Sequence, residues 1–90
     1  MEESLYERID ALCEALCNLY AEFLDDDTIT EVEDLWNDLF DSDGTILDDD
    51  LALHAIEVFE DAQGAMDGHE LWQEGGQGHR VLHQLQNGER

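Results

Sequence analysis

The sequence predicts an all-α fold: a small bundle of three main helices followed by a short, less regular C-terminal helical segment. Three observations carry this expectation. Apolar residues recur at steps of three and four along most of the chain. No stretch alternates apolar and polar residues in the way a half-buried strand does. The 90 residues include no proline to break a helix.

The first helix is expected over 3–24. Leu5, Ile9, Leu12, Leu16, Leu19 and Phe23 are spaced alternately four and three residues apart, which places all six on one stripe. Tyr6, Cys13, Cys17, Tyr20 and Leu24 widen that stripe beyond the needs of a surface helix. That breadth suits a central position, or a homodimer seam along the first helix. Asp25-Asp26-Asp27 interrupts the pattern, and Thr28 with Glu31, or Thr30 with Glu33, offers a capping box for a second helix. Its inward face is Ile29, Val32, Leu35, Trp36, Leu39 and Phe40, and Ser42-Asp43-Gly44 stops it.

Asp48-Asp49-Asp50 supplies an N-cap and negative charge at the positive end of a third helix. Leu51, Ala55, Ile56, Phe59 and Ala62 carry that helix inward as far as Gly64. Six of the seven glycines lie from Gly64 onward, so the chain divides into an acidic helical body (1–64) and a glycine-rich segment (65–90) packing on it within one domain. In that segment Leu71 and Trp72 suggest a turn docked on the core, and Val81, Leu82 and Leu85 a final short helix.

Charge is the outlying property. Twenty-five Asp and Glu face three Arg and no Lys, for a formal net charge of −22. Charge of this size opposes collapse, yet 42% of the residues are apolar and they are periodic, so the chain reads as folded. Through Asp61 there are 21 acids against Arg8 alone; the remainder holds four acids against Arg80 and Arg90. A polyanion repels nucleic acid and anionic membranes, which leaves basic surfaces or cations as partners. No run of 18 apolar residues offers a membrane span. The start Met-Glu-Glu is unlike a signal peptide, and two cysteines suit a reducing compartment, so a cytoplasmic location is expected.

The acids form helical stripes: Glu3, Glu7, Asp10 and Glu14 on the first helix, Glu31, Asp34, Asp38 and Asp41 on the second, and Asp50, Glu57 and Asp61 on the third. Eight like-charge pairs at three- or four-residue spacing, at about 0.2–0.5 kcal/mol each, cost roughly 2–4 kcal/mol in total. An ordinary exposed helix relieves such repulsion with lysine, and this chain has none. Solubility needs a net charge of only about 2–8 on a small domain. One stripe places a charge about every 5 Å of axis, and two or three neighbouring stripes approach the one per roughly 1.7 Å of duplex DNA.

In small size and acidity the chain resembles DNA-mimic proteins, a functional class that includes phage-borne anti-restriction and anti-CRISPR inhibitors and has no shared motif. That resemblance implies inhibition by occupancy: the mimic fills the basic groove of a DNA- or RNA-binding protein without binding nucleic acid itself. The partner-binding residues expected on this reading are Glu3, Glu7, Asp10, Glu14, Glu31, Asp34, Asp38, Asp41, Asp48, Asp49 and Asp50. The alternatives are a small helical interaction protein adapted to high salt, and an acidic adaptor or metal-binding module.

Other chemistries fit less well. Aligning Gly44 with the invariant glycine of an EF-hand loop puts Asp41 and Asp43 at the third and fifth ligand positions and Asp50 at the last. Leu39 and Leu47 then occupy the first and ninth, so an acidic turn is expected there instead. Cys13-x3-Cys17 and His79-x3-His83 each place two zinc ligands one helical turn apart and would close a tetrahedral site if the tail packed on the first helix. Their spacing is not that of a zinc finger, and the cysteines also read as small core residues. Neither metal nor cofactor is expected. No nucleophile–base arrangement or phosphate loop emerges, and exposed, mutually repelling acids are not a tuned acid/base pair, so catalysis is not expected.

Overall fold

The computed structural model describes residues 4–88. Within them lie four α-helices: α1 (Leu5–Asn18), α2 (Asp26–Asp38), α3 (Asp49–Ala65) and α4 (Gln77–Gln86). Single 3-10 turns at Ala21–Phe23 and Glu70–Trp72 precede α2 and α4. Among the described residues no strand forms; Phe40 and Ile46 make an isolated antiparallel bridge. The helices close a ring in which α1 packs on α2 and α4, and α3 on the same two. The expected all-α bundle is the observed one.

Three helices begin on side-chain caps. Ser4 accepts the Glu7 N–H, Asp25 the Thr28 N–H at 2.8 Å, and Asp48 the Leu51 N–H at 2.9 Å. Each cap satisfies a donor that the first turn leaves open, and the acids behind Asp25 and Asp48 meet the positive end of the helix dipole. The Asp48 cap is the expected one. The start of α2 is a correction: Asp25 caps it, not Thr28 or Thr30, and the Thr30 hydroxyl instead donates to the Asp26 carbonyl. A short carboxylate directly before the helix is the stronger cap and takes the site first.

A second correction concerns the end of α1. The Leu19 and Tyr20 N–H groups both reach the Ala15 carbonyl, so the ladder slips by one residue and the helix stops at Asn18. Ile9, Leu12 and Leu16 stay in the core, but Leu19 is 72% and Phe23 44% exposed, so the six-residue stripe is interrupted. Similarly, α2 stops at Asp38 and not at Ser42-Asp43-Gly44. The chain then turns through Gly44 (φ +80°), with the Leu47 N–H returning to the Leu39 carbonyl. α3 passes beyond Gly64 to Ala65, across the expected boundary between body and tail.

One core joins body and tail. Ile9, Leu12 and Leu16 of α1, Val32 and Leu35 of α2, Phe59 of α3 and Val81, Leu82 and Leu85 of α4 belong to the same buried cluster. The glycines of the tail let α4 approach. A β-carbon on Gly78 would lie 2.6 Å from the Trp72 ring, and one on Gly76 would run into the main-chain carbonyls of Glu70 and Leu71. Gly76 is also the N-cap of α4, a position where alanine is poor. Gly76→Ala should therefore cost about 1–3 kcal/mol, on the order of 10 °C in thermal midpoint for a domain of this size. An unchanged melting curve would contradict this close approach of Gly76 to the carbonyls.

Candidate polyanionic interface

No charged side chain is buried among the described residues. Of the 22 described carboxylates, 20 are exposed and two, Asp10 and Asp41, are half-buried. Core packing explains this placement. Each helix turns its apolar side to the ring interior, which leaves Glu7 and Glu14 on the outside of α1, Glu31, Asp34 and Asp38 on α2, and Asp50, Glu57 and Asp61 on α3. Glu3 lies outside the described residues.

α2 carries the densest array. Asp26, Asp27, Glu31, Glu33, Asp34 and Asp38 give it six acids in 13 residues, about one per 3 Å of axis. α3 beside it adds Asp49, Asp50, Glu57, Glu60 and Asp61. Over the roughly 25 Å length of α3, the 11 acids of the two helices average about one per 2.3 Å, close to the spacing of phosphates along duplex DNA. The expected site omitted Asp26, Asp27, Glu33, Glu57, Glu60 and Asp61. The first two lay outside the helix as delimited from the sequence, and Glu33 sits beside the main stripe, not on it.

Three of the expected partner-binding residues hold the fold as well. The Asp10 carboxylate accepts the indole N–H of Trp36, tying α1 to α2. Asp41 organises the turn after α2: its Oδ1 accepts the N–H groups of Asp43 and Thr45, and its Oδ2 the Thr45 hydroxyl. These hydrogen bonds, that from Thr45 foremost, hold the Asp41 carboxyl below its ordinary value. Asp48 caps α3. Because Asp41 lies beyond the end of α2, its supposed helical pairing with Asp38 does not form.

α4 has no carboxylate. Its outer side bears Arg80 and His83, both exposed, while Arg8 on α1 donates to Gln84 Oε1 at 2.7 Å across the α1–α4 boundary. The three acidic helices are consecutive in the ring with α2 in the middle. The helical carboxylates thus lie on three sides of the ring, while the exposed Asp67, Glu70 and Glu74 sit in the segment leading into α4.

The cysteine and histidine pairs do not converge. Among the described residues no three His, Cys, Asp or Glu side chains gather as a metal would require. His79 and His83 stack with ring centroids 6.1 Å apart, in a concavity shared with Gln63 of α3 and not with the cysteines of α1. Cys13 is fully buried, and its thiol is pushed up to about 12 by burial first, then by Cys17 and Asp10. The folded state thus holds the Cys13 proton more tightly than the unfolded chain, whose ordinary value is 9.0. The associated stability is complete below pH 9 and is lost as the pH rises from 9 to about 12. Chemical denaturation at pH 8 and pH 10.5 should show that decline, and Cys13→Ala should flatten it; equal slopes for both proteins would refute the assignment.

No family model, curated protein or solved structure matches this chain.

His69 caps the second 3-10 turn, its Nδ1 accepting the Leu71 N–H at 3.0 Å, and its ring meets those of Tyr20 and Phe23 edge-on. Residues 46 positions or more apart in sequence meet there, which no local pattern reveals.

Proposed function

We propose that this protein is a nucleic-acid mimic that inhibits a DNA- or RNA-binding protein by occupying its basic groove, in the manner of phage-type anti-CRISPR or anti-restriction inhibitors. The observation that carries the reading is the exposed carboxylate array of α2 and α3, continued onto α1. Its spacing approaches that of nucleic-acid phosphates, and no lysine neutralises it. A groove lined with Lys and Arg binds phosphates largely through charge, and a rigid array of carboxylates meets the same requirement.

The crowding of acids on α1, α2 and α3, with none on α4, supports mimicry over general salt adaptation, which would tax α4 equally. The two readings diverge in dilute buffer. A mimic stays folded without molar salt, whereas a salt-adapted protein unfolds there as its self-repulsion goes unscreened. The direct experiment is a pull-down from host lysate, with the retained proteins eluted by a salt gradient. A nucleic-acid-binding protein released by salt, and displaced equally by DNA or RNA, is the expected result. Retention of partners that are not basic, or that salt and nucleic acid leave in place, would refute the proposal.

A further inference from the structure

His79 and His83 stand one helical turn apart on α4, where side chains four residues apart share a face. Their rings are nearly parallel, with 8° between the planes and 6.1 Å between the centroids. Both line a concavity of about 210 Å3 between α4 and α3, together with Gln63, Leu82 and Gln86. Gln86 is tied back to α3, its Nε2 donating to Glu60 Oε1 at 3.0 Å. The Asn87 side-chain nitrogen lies 2.9 Å from His83 Nε2. An amide nitrogen only donates, so Nε2 accepts and carries a lone pair, and the ring proton sits on Nδ1. That contact is exposed, which leaves the lone pair within reach of solvent.

Two histidines at this spacing on one helix face can hold a single metal ion. Imidazole suits the borderline divalent transition ions, with copper bound more tightly than nickel or zinc, whereas calcium and magnesium prefer oxygen. Two nitrogens on one ion, each at about 2.0–2.1 Å, lie no more than about 4.2 Å apart, so the rings must turn toward each other. His83 is exposed and His79 half-buried, so side-chain rotation alone achieves this and the helix need not move. The net charge of −22 concentrates cations at the surface without choosing among them; the imidazoles supply the choice. We propose that His79 and His83 chelate one divalent transition ion of the copper, nickel or zinc type, with water in its remaining positions. Cys13 and Cys17 take no part. Among the described residues no third ligand gathers there, so the ion exchanges freely, unlike a structural zinc in a closed site. The chelate does not depend on nucleic-acid mimicry.

Calorimetric titration of the whole protein with nickel chloride, at physiological salt and with excess calcium to occupy the carboxylates, separates the chelate from the charge. One equivalent of nickel should bind. His79→Ala and His83→Ala should each weaken it by about tenfold or more, because the second imidazole binds at the high effective concentration set by the first. The wild-type protein supplies a reading independent of any variant. On addition of zinc chloride the imidazole resonances of His79 and His83 should move together, while those of His54 and His69 stay in place. Nickel binding undiminished in both variants, or equal movement of all four histidines, would place the ion elsewhere and overturn the chelate. Loss in only one variant would mark a single-imidazole contact and overturn it equally, as would no nickel binding in the presence of calcium.

Discussion

Phe59→Ala should leave the protein largely unfolded in dilute buffer and partly restored by salt. Phe59 is fully buried in the core that all four helices share. Removing its ring costs about 3–5 kcal/mol in transfer energy and residual cavity, against about 5–15 kcal/mol for the stability of a typical domain. Here the margin is narrowed further. Seven like-charge pairs lie within the observed helices (7–10, 10–14, 27–31, 31–34, 34–38, 57–60 and 57–61), together costing roughly 1.5–3.5 kcal/mol. Screening shortens the reach of that repulsion to about 3 Å at 1 M salt, so helicity lost at low ionic strength should recover in part. Circular dichroism melts at the two ionic strengths measure both effects. A loss below about 1 kcal/mol would mean that Phe59 is not central to the packing.

The triple variant Glu7→Lys, Asp34→Lys, Glu57→Lys should lose partner binding while gaining stability. The three positions are exposed, one on each acidic helix, so no packing is disturbed. Each replacement turns like-charge neighbours into opposite ones: Asp10 beside position 7, Glu31 and Asp38 beside 34, and Glu60 and Asp61 beside 57. Five repulsive pairs become attractive, which should raise stability by about 2–5 kcal/mol. Against a basic groove the same lysines introduce like-charge contacts worth several kcal/mol, so binding should weaken by about a hundredfold or more at physiological salt. A variant that melts higher but binds as tightly as the wild type would show that these carboxylates are not the contact. The opposite signs matter, because a merely destabilised protein cannot imitate them.

Much of this was legible locally. Helical spacing identifies the core residues Ile9, Leu12, Leu16, Val32, Leu35 and Phe59, and the triple aspartate at 48–50 marks the start of α3. The helix ends were less so, because they depend on competition between groups. Asp25 outcompetes two threonines for the start of α2, and one shared carbonyl, that of Ala15, ends α1 before its apolar pattern does. The site was legible in its residue types but not in its shape. That Asp10 holds Trp36, 26 residues away, and that Asp41 is occupied by its own turn, are long-range or conformational facts with no periodic signature.

The bare fourth side of the ring also governs approach. With negative charge on α1, α2 and α3 and only Arg80 and histidines along α4, the molecule has a permanent electric dipole. In the field of a basic cleft it experiences a torque before any atoms touch, turning α2 forward and leaving α4 trailing. On the proposed function, productive encounters would thereby be selected during diffusion and α4 would be the natural handle: a fluorophore or surface tether attached at Arg80 should leave the association rate unaltered.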